Sequence, residues 1–236
     1  MKKAVLSGIF LIFSSILFAE VLKELAPQEA MTLWELIKNG GVVMFVIMAL
    51  SIFTITLLLR FIFTLRTFSM VPPHLVAEVR KHLLNGDRDS ALRLCNTHDS
   101  FISRLIKTAI ENSSSGRKEA EEATERAGRT QATLLSQSIR YLADIGVIAP
   151  MLGLLGTVLG MIRAFLLITF ESGVVRHIMI AGGISQALVT TAAGLIVGIP
   201  AMAFYFFFRN KLQRIVSISE NISSEILKLI PEGEER

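Results

Sequence analysis

The chain has 236 residues, of which 52% are hydrophobic and 19% are charged, whereas soluble domains carry roughly 25% charged residues. This composition, with a mean hydropathy of +0.56, indicates a membrane protein. The net charge of +4 does not predict nucleic-acid binding, because membrane proteins collect Lys and Arg on their cytoplasmic side. Cys95 is the single cysteine, which excludes an intrachain disulfide. The four histidines are scattered along the chain, which disfavours a metal site, and we expect no cofactor.

Residues 1–19 have the layout of a secretory signal peptide, with two lysines, an apolar stretch and then Ala19 before the charged Glu20. A cleaved signal peptide and an uncleaved anchor helix both fit this pattern. In either case the lysines hold the amino end inside, so residues 20–40 are predicted to lie in the periplasm. Trp34 in this segment is predicted to be an interfacial anchor, with a binding residue as the alternative.

Three charge-free stretches follow, over residues 39–59, 145–162 and 178–208. About 20 helical residues cross a hydrocarbon layer of about 30 Å, so each stretch can span or nearly span it, and the third is too long for one straight crossing. These runs are too long for the strands of a soluble enzyme or of an outer-membrane barrel. The predicted fold is therefore all-α: a polytopic inner-membrane protein with three long transmembrane helices that extend into a cytoplasmic helical bundle. The predicted spans are residues 41–60, 141–169 and 178–208. The third is long enough to tilt or to continue beyond the bilayer.

Charge counting orients these spans. Residues 60–140 carry 13 basic and 9 acidic residues, and three basic residues follow the last span at once. The connection over residues 170–177 has few charges. The positive-inside rule therefore places residues 61–140 and the tail 209–236 in the cytoplasm, and the connection 170–177 in the periplasm.

The cytoplasmic region has a helical character and no sign of a catalytic domain. Leu75, Val79 and Leu83 recur at four-residue steps and predict one buried helix face. The next helix is entered through Asp87 or Asp89. Its predicted buried residues are Ala91, Leu92 and Cys95. After a short break at residues 113–116, a charged helix over residues 117–140 is predicted to have a solvated face.

Small residues are concentrated in the second and third spans. Gly156 with Gly160, and Gly194 with Gly198, form GxxxG pairs, which let two helix backbones approach closely. We expect these helices to pack inside an assembly, with packing within one chain as the alternative. The predicted packing residues are Gly153, Gly156, Gly160, Gly194 and Gly198.

Polar side chains lie near the middle of the same spans. Gln186 and Thr190 share one face of the third span, and Thr191 is adjacent. If this stripe faces Thr157 in the second span, it lines a narrow polar path or seats a partner helix. The alternative is that each hydroxyl donates to a carbonyl three or four residues back in its own helix. Apart from Arg163, no ionisable side chain lies well inside these spans, so a titrating group for proton transfer has to come from a second protein.

The last two spans closely resemble the MotA/TolQ/ExbB proton channel family, on its ExbB and TolQ side. The matching stretches are DIGVIAPMLGLLGTVLGMIRAF (residues 144–165) and GGISQALVTTAAGLIVGIPAMAFY (residues 182–205). The elements AP, GLLGTVxG, GIxxAL and TAAGLxVxIPA in that order are jointly specific. The likeness extends less specifically over the order of elements from residue 39 onward.

The resemblance implies a non-enzymatic subunit of an inner-membrane motor that couples proton-motive force to TonB-dependent outer-membrane transport. A homo-oligomer of five such subunits would surround two transmembrane helices of an ExbD- or TolR-like partner, whose aspartate carries the proton. Thr157 and Thr191 match the family's pore-lining threonines, and Pro150 and Pro200 match its helix-bending prolines. Thr190 is a weaker candidate for the proton pathway.

One residue departs from the family pattern. ExbB- and TolQ-type proteins commonly have a glutamate where this chain has Gln186, a second weaker candidate for the proton pathway. Glutamine cannot titrate, so a proton step assigned to that glutamate is in doubt here. Gln186→Glu is predicted to be tolerated.

Other functions compete with this interpretation. A TolQ-like subunit would act with a TolA-like protein in envelope maintenance, although the amino-terminal extension favours the ExbB-like function. A scaffold that conducts nothing would hold envelope proteins together through the same helices. A small-solute transporter is disfavoured, because the chain has no inverted repeat and no charged site at the midplane of its spans.

Overall fold

The structure is a computed structural model that describes residues 41–170 and 174–230, without the side chains of residues 67–68, 167–170 and 174–179. The predicted signal or anchor segment, the periplasmic segment with Trp34 and the end of the tail lie outside the described residues. Within them the fold is helical without strands, which confirms the all-α prediction. The helices are α1 (Gly41–Thr64), α2 (Thr67–Met70), α3 (Pro73–Leu84), α4 (Arg88–Thr97), α5 (Phe101–Asn112), α6 (Arg117–Phe170) and α7 (Val174–Leu229), with a 3₁₀ turn at Ser113–Ser115.

Three of these helices, α1, α6 and α7, are long and apolar enough to cross a membrane, as predicted. Many of their large apolar side chains are exposed on the isolated chain, which a soluble monomer rarely tolerates over so wide a surface. Lipid or neighbouring subunits are the surroundings that such a surface requires. Examples are Phe45, Phe53, Met151, Leu154, Leu188 and Ile199.

The helices run past the predicted boundaries of the spans. Helix α1 continues through Arg60 to Thr64. Helix α6 joins the charged helix predicted over residues 117–140 to the second span in one uninterrupted element of 54 residues. Helix α7 begins at Val174, inside the predicted connection 170–177, and continues as one element of 56 residues to Leu229. A change from polar to apolar side chains alters the surroundings of a helix without breaking its backbone hydrogen bonds, so composition alone does not mark a helix end.

The chain forms two compact units. The first combines the described residues up to Thr56 with Leu142–Phe204, and the second combines Leu57–Tyr141 with the described residues from Tyr205 onward. The first unit therefore contains most of α1 and the apolar parts of α6 and α7. The second contains the short helices α2 to α5.

The short helices of the second unit follow the predicted apolar pattern. Leu75, Val79 and Leu83 are the buried residues of α3, as their spacing predicts. Asp87 is the N-cap of α4, where its carboxylate accepts a hydrogen bond from the Ser90 backbone N–H at 3.0 Å. Hydrogen bonding to Ser90 lowers the pKa of Asp87, with the Ser90 side chain as the largest cause and this backbone bond as the second.

Burial in α4 agrees with the sequence prediction at two positions of three. Ala91 and Cys95 are buried, whereas Leu92 is only partly buried. Helix α5 contributes the most apolar face of the unit, with Ile102, Leu105 and Ile106 all at most 1% exposed. The capping box between Ser100 and Ser103 starts α5 by satisfying backbone N–H groups at its amino end.

Candidate functional site

Helices α6 and α7 of the first unit meet along a line of small residues. A Cβ atom built on Gly160 would lie 2.8 Å from the Cβ of Ala187, and one built on Gly146 would lie 3.1 Å from the Cβ of Met202. As residue numbers rise along α6 they fall along α7, so the helices run antiparallel. The contact extends over residues 146–164 of α6, about 27 Å at 1.5 Å per residue, which nearly equals the hydrocarbon thickness of a bilayer.

Two glycines of this contact, Gly153 and Gly194, face backbone atoms, which cannot rotate away. A Cβ on Gly194 would lie 2.5 Å from the carbonyl oxygen of Ala149, and one on Gly153 would lie 3.0 Å from the carbonyl oxygen of Thr190. Side chains at these positions would push the helices apart. At Gly182, by contrast, no other atom lies within 4 Å of an added Cβ.

The two prolines lie inside α6 and α7, and both helices remain continuous. Pro150 packs its ring against Gly198, where an added Cβ would lie 2.7 Å from both the Cγ and the Cδ of the proline. Proline has no backbone N–H, so Pro150 cannot donate to the carbonyl of Gly146 in the regular helical pattern. That carbonyl oxygen also faces Gly198, at 3.1 Å from the position of the built Cβ.

The threonine hydroxyls of the predicted polar path have different partners. The Thr157 hydroxyl donates to the carbonyl of Leu154 at 2.6 Å, and the Thr190 hydroxyl donates to the carbonyl of Ala187 at 2.8 Å. Each of these bonds stays within its own helix, as in the alternative that each hydroxyl donates to a carbonyl three or four residues back. The Thr191 hydroxyl instead crosses to α6.

Thr191 bridges the two helices by donating its hydroxyl proton to the carbonyl oxygen of Gly153 at 3.0 Å. Thr190, its neighbour, is 1% exposed and lies against Gly156, where a built Cβ would overlap its side chain. Thr157 and Thr191 are both partly buried on the isolated chain. Thr190 and Thr191 therefore both lie in the glycine contact, where Thr190 is buried. Thr191 keeps some accessible surface there, as does Thr157 on α6.

Gln186 lies at one end of the contact, close to Gly41 and Arg163. A Cβ on Gly41 would lie 2.6 Å from the Gln186 Nε2 and 3.4 Å from the Arg163 Nη1. Gly41 also has a φ of 66°, a left-handed conformation that a glycine adopts without strain. Sequence reasoning overlooked Gly41, although the two glycines before the apolar stretch of α1 are a recognisable turn signal.

The site has no titratable group of its own at its centre. Residues 145–162 and 178–208 contain no Asp, Glu, Lys, Arg or His. Among the described residues there is also no group of three or more His, Cys, Asp or Glu side chains that could hold a metal ion. The described arrangement offers hydroxyl, amide and carbonyl groups in an otherwise apolar helix pair.

These features define a polytopic membrane protein in which two helices form a pair with a few polar side chains and no charged residue at its centre. Residues 97–221, just over half of the chain, match the MotA/TolQ/ExbB proton channel family, and the chain belongs to this family. The matched region includes the whole glycine-lined contact between α6 and α7, from residue 146 to residue 202.

Its relatives are named as biopolymer transport proteins. The chain is 30% identical to a putative biopolymer transport protein ExbB homolog of Methanothermobacter thermautotrophicus, over 77% of this chain and 64% of that protein. It is 26% identical to the putative biopolymer transport protein ExbB-like 3 of Synechocystis, over 79% of this chain and 90% of that protein. A shorter match to the biopolymer transport protein ExbB of Neisseria gonorrhoeae has 50% identity, over 28% of this chain and 30% of that protein. The chain thus spans less than two thirds of the Methanothermobacter and Neisseria relatives.

Proposed function

We propose that the chain is the proton-channel subunit of an inner-membrane energy-transducing complex of the ExbB type. The observation that carries this proposal is a bilayer-long helix pair whose polar groups cannot titrate. A proton crossing such a surface needs a carboxylate supplied by another chain. An ExbD-like single-span partner with an intramembrane aspartate would supply it, inside a ring of five copies of this chain.

The threonine hydrogen bonds suggest which form of that carboxyl group the channel favours. Thr157 and Thr191 already donate their hydroxyl protons to backbone carbonyls, so their oxygens have free lone pairs and no spare proton. Such oxygens accept a hydrogen bond from a protonated carboxyl group or from water. Hydrogen bonding to the neutral form of an acid raises its pKa, so these threonines would favour the protonated partner aspartate in transit.

In the proposed orientation the tail after α7 and the short helices lie in the cytoplasm, and residues 170–177 lie in the periplasm. Proton movement would drive work on a TonB-like protein that energises outer-membrane transport. One charge moving across 100 mV releases about 2.3 kcal/mol, so a few protons supply the free energy for a conformational step. The ExbB names of the relatives support this assignment over a TolQ-like role in envelope maintenance.

The test is proton flux in vesicles that contain this chain together with its single-span partner. Thr157→Val combined with Thr191→Val keeps the side-chain shape and removes both hydroxyls. We expect the complex to assemble and the flux to fall about tenfold. This is less than the roughly 10²–10⁴-fold contributed by a group that itself transfers the proton, because the threonines only hydrogen-bond the partner's carboxyl group.

Thr56→Val is the matched control, because the exposed Thr56 hydroxyl also donates to a carbonyl of its own helix, that of Ile52 at 2.9 Å. The control should conduct like the original chain. Full flux in the double variant would refute the assigned threonine roles. Absence of flux in the original complex would favour the scaffold function.

A further inference from the structure

Two basic side chains, one just after α1 and one within α7, lie at the level where the apolar parts of these two helices end. Arg66 follows α1, and Lys211 lies three residues beyond Phe208, where the charge-free stretch ends. The buried rings of Phe61 and Phe208 pack α1 against α7 at this level, with their centroids 5.6 Å apart. The positive charge of Arg66 acts electrostatically on the ammonium of Lys211.

Within residues 41–170 and 174–230, no carboxylate forms an ion pair with either cation. Residues 36–77 and 172–219 contain no Asp or Glu. Partial burial and the charge of Arg66 lower the pKa of Lys211. Two cations held together in this way repel each other, and a bound anion would relieve the repulsion.

Exposed aromatic rings lie directly beside both cations. The guanidinium carbon of Arg66 is 5.8 Å from the ring centroid of Phe63, and the Nζ of Lys211 is 5.9 Å from that of Phe207. The two phenylalanines are 63% and 42% exposed. The cluster thus combines an anion-binding pair with apolar surface, which suits a ligand that has both an anionic head and an apolar chain.

We propose that Arg66 and Lys211, with the rings of Phe63 and Phe207, bind the phosphate group of an anionic phospholipid. A free phosphate would be bound by the same two cations, but it would make no use of the exposed rings. Arg66 lies two residues beyond the end of α1, and Lys211 lies three residues beyond the charge-free stretch of α7, which places both cations at the depth of lipid headgroups. This proposal does not depend on whether the chain conducts protons.

The test measures phospholipid retention by the purified full chain in a neutral detergent. After delipidation, phosphatidylglycerol and phosphatidylcholine are added separately, and bound lipid is counted by native mass spectrometry. Each Lys or Arg near anionic headgroups contributes about 1 kcal/mol, so Arg66→Gln with Lys211→Gln should weaken phosphatidylglycerol binding about 30-fold. Each single variant should weaken it about fivefold, and the single variants carry the test if the double variant is not recovered as a helical protein.

The matched control is Arg117→Gln with Lys118→Gln, which removes the same net charge from two exposed positions at the start of α6. This control should retain phosphatidylglycerol, and phosphatidylcholine binding should be the same in all variants. Equal loss in the control would show that general charge attraction accounts for binding and would overturn the proposal. Displacement of the lipid by excess inorganic phosphate would overturn it as well, in favour of a site for the free anion.

Discussion

The hydroxyl of Thr191 on α7 donates a hydrogen bond to the carbonyl oxygen of Gly153 on α6, at 3.0 Å. The bond depends on the close approach of the two helices, because Gly153 has no side chain to hold the backbones apart. One residue of the proposed proton pathway thereby also joins the helix pair.

Thr191→Val removes this bond and keeps the shape of the side chain. Interhelical hydrogen bonds in membrane proteins contribute about 0.6 kcal/mol on average and up to about 1.7 kcal/mol. We expect a loss of stability of that size, measured as a lower unfolding temperature in detergent. Thr191→Ser keeps the hydroxyl and should retain more of the stability. Unchanged stability in the valine variant, with a loss in the serine variant, would show that packing of the methyl group, and not the hydrogen bond, matters here.

Gly194→Ala tests the close backbone contact. The new Cβ would lie 2.5 Å from the Ala149 carbonyl oxygen, so the helices must separate, at a cost of about 1–3 kcal/mol. Gly182→Ala is the matched control, since its Cβ meets open space and alanine favours the helix by about 0.5–1 kcal/mol. The unfolding temperature should fall for the first variant and rise slightly for the second. A shift in the same direction for both would contradict the proposed packing.

Gln186→Glu places a carboxylate close to the guanidinium of Arg163. Because both side chains approach the same point beside Gly41, we expect the new charge to be paired and the variant to fold and assemble. Adding Arg163→Gln should leave the carboxylate unpaired in apolar surroundings. The free energy of unfolding of the double variant should then fall by more than the sum of the changes in the two single variants. A double-mutant cycle on unfolding measures this coupling, expected at about 1 kcal/mol. Strict additivity would mean that the two side chains do not interact.

Cys95 should react slowly with thiol reagents in the folded chain. Burial raises the pKa of its thiol from 9.0 to about 11, and the residue is 4% exposed. At pH 7.5 only about 3 thiols in 10,000 would be ionised, and the reactive fraction should rise about tenfold per pH unit until the pKa is approached. Because Cys95 is the only cysteine, labelling with N-ethylmaleimide before and after denaturation reports on this site alone. Rapid labelling of the folded chain at neutral pH would show that α4 opens readily.

Features that follow from local patterns could be predicted from the sequence. The apolar stretches located the three long helices, the four-residue spacing identified the buried face of α3, and Asp87 was one of two expected entry residues for α4. Each of these depends on side chains within a few residues of one another. The continuation of α6 and α7 beyond their apolar stretches was only partly anticipated, because no local signal marks where a helix leaves the membrane.

The relations between helices were harder to infer. The GxxxG pairs identified which helix faces carry small residues, but a single sequence does not specify which residue of α6 contacts which residue of α7. As a result, the burial of Thr190 against Gly156 and the bond from Thr191 to Gly153 could not be predicted. The position of Gly41 beside Gln186 depends on a helix more than a hundred residues away in the chain.

The antiparallel contact between α6 and α7 also has a consequence for biosynthesis. Its contact nearest the connection joins Ala164 to Gly183, and the most distant joins Gly146 to Met202, with the others in sequence between them. The cost of closing a loop grows slowly with its length, so the hairpin can close from the connection outward, each contact adding only a few residues to the loop. All of these residues leave the ribosome before the polar end of α7 does, so the helix pair can enter the bilayer as a formed hairpin while the chain is still being made.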